Sequence, residues 1–218
     1  MKKITLAFFV VITLCISCSK PKGASASSGN TVMLYSYESS RGDAVFSRIV
    51  PNNNGGLAED IHLYAWTQND ILNINRVTLD FNTSNISQNV KIKSAYLNLY
   101  FNPTSKYDKV LPGDGNSGNV GFMIEQITSE WNETTVTWKT QPEATAVDRV
   151  LVEKKTDAKA NYLKLDVTKL VQNMINKPTD ERFGFLLKLA KEEPYNVYFF
   201  ASGNHPEVSI RPSLQITY

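Results

Sequence analysis

Cysteine is scarce in this chain: there are two among 218 residues, Cys15 and Cys18, both near the amino terminus. Everything after Cys18 must therefore fold without a disulfide, and its apolar core has to suffice. A stretch of about 190 residues can bury such a core. Histidine is equally rare, with His62 and His205 alone, and no HExxH, GxSxG or P-loop pattern occurs. That removes the familiar metallohydrolase, serine-hydrolase and nucleotide-hydrolysing constellations. Acidic residues are missing before Glu38, whereas Lys2, Lys3, Lys20 and Lys22 supply four of the 23 basic residues there. The chain from residue 31 onward then holds 19 basic against 21 acidic side chains, so the formal charge of +2 becomes −2. Such a domain has no basic footprint for DNA or RNA, and no nucleic-acid partner is expected. The apolar run from about Ile4 to Ile16 falls short of the roughly 20 residues that a spanning helix needs.

A positive start at Met1-Lys2-Lys3, this short apolar centre and a small residue before a cut define a removable export signal. Ser17-Cys18 resembles the end of a bacterial lipobox, in which a small residue precedes the cysteine that receives a diacylglycerol group. Cys15 stands where that box commonly has Leu, and it is the rival acceptor, although bulky Leu14 before it suits a signal peptidase poorly. The expectation is a signal peptide over residues 1–17 and lipidation of Cys18. Several acyl chains on one cysteine hold a protein lastingly to a membrane. Ser19 rather than Asp after the cysteine favours the outer membrane, by analogy with Gram-negative sorting. Residues 19–30, SKPKGASASSGN, are small and polar and read as a flexible tether reaching roughly 40 Å when extended. The folded domain is expected over residues 31–218.

From Thr31 onward, short alternating runs are separated by turn residues. In Ile74–Phe81, Val77, Leu79 and Phe81 face one way and Arg76, Thr78 and Asp80 the other. In Val90–Phe101, Ala95, Leu97, Leu99 and Phe101 oppose Tyr96, Asn98 and Tyr100. Further strands are expected at Val32–Tyr37, Ala44–Val50, Ile61–Ala65, Val120–Ile127, Tyr162–Leu165, Phe183–Leu189, Val197–Ala201 and Ser213–Tyr218. The pattern predicts one all-β domain, an antiparallel β-sandwich or jelly roll. Val167, Leu170, Val171, Met174 and Ile175 instead follow the helical period. They predict one short amphipathic helix with Asp166 as its N-cap and Asn176-Lys177-Pro178 as its stop. This helix is expected to close one open end of the sandwich. Pro103–Asn119, rich in Gly, Asn and Asp, reads as a surface loop.

These runs, in this order, resemble the DNRLRE-type domains of secreted bacterial proteins, related to carbohydrate-binding module family 96. Gly42-Asp43-Ala44 with Asn52-Asn53-Asn54-Gly55 is similar to the family's opening strand and Asn-Gly-rich loop. Arg76-Val77-Thr78-Leu79-Asp80-Phe81 and Ile92–Tyr100 resemble two of its strands. Trp131-Asn132-Glu133-Thr134-Thr135-Val136-Thr137-Trp138 with Pro142 is the most specific piece. Asp166-Val167-Thr168 with Leu170-Val171, then Gly184–Leu187 and Arg211–Tyr218, complete the set. The resemblance implies a non-catalytic β-sandwich that accompanies glycan-degrading enzymes and binds polysaccharide, in some relatives an acidic one. A shared fold does not transfer a ligand.

Sugar binding rests on aromatic faces flanked by hydrogen-bonding side chains. Tyr96, Asn98 and Tyr100 fit on one strand face, and Trp66 is a candidate rim aromatic; the alternative for each is packing. Lys154 and Lys155, with Arg149, Lys159 and Lys164, form a basic cluster that would complement an acidic glycan; a solvated hairpin is the plainer reading. Asp43 and Asn52 could supply oxygens to a structural calcium ion, otherwise no cofactor is expected. Glu130 and Glu133 beside Trp131 read as a solvated turn rather than an acid/base pair. The leading expectation is a lipid-anchored, non-catalytic carbohydrate-binding module retaining polysaccharide at the cell surface. The rivals are a structural or adhesive surface lipoprotein and a small polysaccharide lyase.

Overall fold

The computed structural model describes residues 29–106 and 115–218. The signal segment, Cys18, most of the tether and the centre of the Pro103–Asn119 loop lie outside the described residues. Among the described residues there are eleven strands: β1 (Thr31–Tyr35), β2 (Asp43–Ser47), β3 (Asp60–Gln68), β4 (Ile71–Leu79), β5 (Ser94–Leu99), β6 (Phe122–Ile127), β7 (Ala144–Val152), β8 (Tyr162–Asp166), β9 (Phe185–Leu189), β10 (Asn196–Ala201) and β11 (Ser213–Thr217). One helix, α1 (Thr168–Ile175), separates β8 from β9. Among the described residues no helix is long and apolar enough to cross a membrane.

All pairings are antiparallel, and they form two sheets. The smaller has the order β1-β11-β5-β8, the larger β10-β3-β4-β9-β6-β7. Asn75 pairs with both Ser47 and Tyr64, and Val77 with both Val45 and Leu187. Since a residue has one neighbour on each edge, β2 runs along one edge of β4 while β3 and then β9 share the other. The large sheet curls at that point.

Ala95, Leu97, Leu99, Leu214 and Ile216 from the small sheet meet Leu63, Val77, Leu79, Phe122, Leu187 and Phe200 from the large one in a single core. Its centre is a knot of rings, Phe122, Tyr162, Tyr198 and Phe200, with centroids 5.1–6.0 Å apart and mostly edge-on, as aromatic quadrupoles prefer. The two buried hydroxyls are matched, Tyr198 donating to Val120 O and Tyr162 accepting from Lys155 N. The apolar stripe of α1 (Leu170, Val171, Met174, Ile175) enters the same core. Its N-cap position is Val167, one residue beyond the expected Asp166; the Asp166 carboxylate instead accepts from Thr168 N at 3.0 Å. At the other end, buried Arg182 donates to Lys177 O and Ile175 O, and also to Thr83 O and Ile86 O.

Three features depart from the alternating pattern. Thr78 and Asp80 are buried, although they lie on the outward side of β4. Residues 128–143 cross that side, where Trp131 and Val136 join Ala44, Phe46, Ile127 and Leu186 in a second apolar cluster. Phe101, expected beside Leu99, belongs to a third cluster with Val197 and Phe199, because β5 ends at Leu99 after a register shift. Strand β7 has no expected counterpart: it is an edge strand exposed over most of its length, so no buried face imposes a period of two.

Candidate functional site

The outward side of β3 carries the site. Ile61, Leu63 and Ala65 point into the core, which leaves His62, Tyr64 and Trp66 in a row on the opposite face. Asn69 and Asp70 join β3 to β4 with φ of 50° and 61°. Positive φ at both central residues is the backbone of a type I′ turn, whose twist matches that of the flanking strands. The turn fixes the register Trp66↔Asn73 and Tyr64↔Asn75. Directly opposed residues on one face are side-chain neighbours, so each of these aromatic rings has an asparagine beside it.

The row opens into a cleft of about 350 Å³ between β3, β4 and the loop that follows β2. Ser47, Ile49, Val50, Asn53, His62, Tyr64, Gln68, Asn73 and Asn75 are among its lining residues. That volume suits a small ligand or a short stretch of a polymer. The His62 and Tyr64 rings stack, with centroids 5.5 Å apart and planes 6° from parallel. Burial pushes the His62 imidazole down to about 4, so it is neutral at physiological pH. Asn73 donates to the Tyr64 hydroxyl and accepts from Ser47 Oγ at 2.8 Å and Ile49 N at 3.3 Å, which clamps the end of β2. Asn75 is 3% exposed, and its Oδ1 has no hydrogen-bond partner. A buried amide oxygen left unpaired costs on the order of 1–3 kcal/mol. Beyond the cleft, half-buried Trp66 meets the edge of exposed Tyr195 at 5.0 Å, and the Tyr195 hydroxyl lies 3.1 Å from Thr67 Oγ1.

The cleft wall is held from behind. Asn54 Nδ2 donates to Glu133 O and Val136 O, both at 2.7 Å, fastening the Asn-Gly loop to the Trp131–Trp138 segment. Gly56 allows that approach, since a Cβ there would lie 2.0 Å from Glu133 O. The segment is itself anchored. Trp131 Nε1 donates to Phe183 O at 2.8 Å, and the Arg76 guanidinium lies 4.8 Å from the centre of the Trp138 ring.

The other sequence candidates take different places. Tyr96 lines a separate groove on the small sheet with Lys93, Asp148, Arg149, Asp166 and Lys169. Asn98 is buried, donating to Ser213 Oγ at 3.2 Å and accepting from Lys164 N at 2.9 Å. Tyr100 is half-buried past the end of β5. Lys154 Nζ donates to Asn116 O and Lys155 O, and Lys155 Nζ to Asn161 O, each ammonium lying over a core tyrosine. Arg149 pairs with buried Glu125 at 3.8 Å. Asp43 is enclosed, its Oδ2 accepting from Gly203 N at 2.7 Å, and burial raises its carboxyl to about 7. Asn52 is exposed on the loop. Among the described residues, no group of three or more His, Cys, Asp or Glu side chains is placed to hold a metal ion.

Of the named candidates, Trp66 alone joins the β3 row. His62, Tyr64, Asn73 and Asn75 were not singled out in the sequence. The signal that would have found them is Asn69-Asp70 between two alternating runs, a two-residue hairpin turn that aligns both strands.

The model of carbohydrate-binding module family 96 matches residues 34–218. The chain belongs to that family. No curated protein matches it. In this family 96 module the matched span covers every strand except the first three residues of β1, the helix and every residue of the cleft. Family membership also makes it a non-catalytic binding type of domain whose partner is a polysaccharide.

Proposed function

We propose that this protein binds polysaccharide in the cleft over β3 and β4, and that acyl chains on Cys18 hold it to the outer membrane so that glycan is retained at the cell surface. The observation that carries the binding reading is the paired arrangement of Trp66 with Asn73 and Tyr64 with Asn75. A pyranose offers an apolar face of C–H groups and an equator of hydroxyls, and a ring beside an amide complements both at once. Along an extended strand the row from His62 to Trp66 spans roughly 13 Å, which suits consecutive sugar units of a chain lying along the surface. The open cleft favours internal segments of a polymer over chain ends. Glycan-degrading enzymes working nearby would receive the retained substrate.

The test is pull-down of the full chain on insoluble polysaccharides, with Trp66→Ala combined with Tyr195→Ala. About tenfold weaker retention is expected, as for loss of an aromatic anchor, with an unchanged circular dichroism spectrum. Full retention in that variant, with loss in Tyr96→Ala combined with Tyr100→Ala, would move the site to the small-sheet groove.

A further inference from the structure

We infer that the cleft selects uncharged sugar units over uronates, an inference that rests on the polysaccharide reading of the same site. None of the cleft's lining residues is Lys, Arg, Asp or Glu. Its one imidazole, His62, is neutral at physiological pH because burial disfavours its charged form. Its polar lining is made of side-chain amides, a serine hydroxyl and the Tyr64 hydroxyl, groups suited to neutral hydroxyls.

A carboxylate entering this cleft would lose hydration and find no cation to replace it. Burying an unpaired charge is far more costly than burying a hydroxyl that finds a partner. Arg48 and Arg76, each next in sequence to a lining residue, do not line the cleft, and the Arg76 guanidinium is engaged by Glu192 and Gln141. The Asn75 amide sharpens the selection. Its buried Oδ1 is an unmatched acceptor, which a sugar hydroxyl can satisfy by donating once the amide turns toward the cleft, whereas a carboxylate is repelled by it. Lys154 and Lys155, whose charge suggested an acidic glycan, do not line the cleft, and their ammonium groups donate to backbone carbonyls elsewhere.

The experiment is affinity electrophoresis of the full chain at neutral pH through gels holding a neutral polymer (mixed-linkage β-glucan, xylan or galactomannan) or a polyuronate (polygalacturonate or alginate). Retardation by a neutral polymer that survives high salt is expected. It should weaken about tenfold in Asn75→Ala, the scale of a buried contact at a binding centre. Gln68→Ala, at an exposed lining position, gives a second readout that does not depend on a buried residue, and a severalfold loss is expected there. Retardation by polyuronates alone would overturn this inference and leave carbohydrate binding standing. Retardation by no polymer would overturn both. Neutral-polymer binding untouched by either variant would overturn the assignment of selectivity to this cleft.

Discussion

Replacing Arg76 by Met should cost about 3 kcal/mol of folding stability, because this one side chain ties two separate segments to β4 through three contacts. Its Nε and Nη2 reach Glu192 at 2.7 and 3.0 Å, a two-point ion pair in which each side chain is 23% exposed. A partly buried, bidentate pair of this kind stands at the upper end of surface ion pairs, about 1 kcal/mol. Nη1 donates to Gln141 Oε1 at 2.7 Å, a charged hydrogen bond contributing about 1.5 kcal/mol. The guanidinium over Trp138, at 4.8 Å, adds about 0.5–1 kcal/mol. Methionine keeps most of the aliphatic stem, so little cavity cost is added. The assay is urea unfolding followed by tryptophan fluorescence, with the slope checked to be that of the wild type. A loss below 1 kcal/mol at unchanged slope would refute the reasoning. So would a cycle with Glu192→Gln that shows no coupling, since directly paired charges should not behave additively. The variant should also loosen the cleft wall, because Trp138 and Gln141 continue the segment that holds Asn54.

The remaining predictions concern pH and the anchor. Asp43 has its carboxyl raised to about 7 from 3.8, chiefly by burial, with Glu133 adding to the rise and Gly203 N, Ser36 and Arg211 opposing it. A raised value means stability that is full below about 3.8 and is lost as pH rises through 7. His62, lowered from 6.5 to about 4, contributes stability that is full above 6.5 and is lost as pH falls towards 4. The two slopes oppose each other between these limits, but burial also raises the carboxyls of Asp60, Asp80 and Glu133, which adds to the Asp43 side, so wild-type stability should fall as pH rises from 4 to 6.5. Asp43→Asn should remove one slope: its stability relative to wild type should improve by a few kcal/mol between acid and pH about 8, measured as urea midpoints. A difference independent of pH would show that Asp43 titrates normally. For the anchor, Cys18→Ser should abolish labelling by a radioactive fatty acid and move the protein out of the detergent phase. Persistent labelling would identify Cys15 as the acceptor.

Much of the architecture was legible because burial on one face writes a period of two into the chain. Val77, Leu79 and Phe81 on one side, and Ala95, Leu97 and Leu99 on another strand, fall in one core as expected. The stripe of α1 was equally plain. What stayed hidden was of two kinds. Strand β7 is exposed, so hydrophobic burial leaves no pattern in it. The outer side of the large sheet is covered by residues 128–143, and Asp80 by Ser39 and Arg41, so Thr78 and Asp80 are buried by segments distant in sequence, which no local window reveals. The cleft suffered from both problems. Asparagine is depleted in strands and favoured in turns, so Asn73 and Asn75 do not announce a binding face. Their meaning comes from the register with Tyr64 and Trp66, and that register was set by an unread turn.

The residues that identify the family overlap the cleft only in its loop wall, at Asn53, Asn54 and Gly55. Arg76, Trp131, Val136 and Trp138 build the outer layer, and Asn54 links the cleft wall to it. His62, Tyr64, Trp66, Asn73 and Asn75 fall in the interval between the opening loop and the Arg76–Phe81 run. Changing a ring or an amide in that interval would alter the ligand while leaving every clamp that holds the wall in place. A wall held from behind and a face free to vary allow one scaffold to serve different sugars. Family membership accordingly establishes the class of partner, and on the reading proposed above the side chains of β3 and β4 would set which sugar it is.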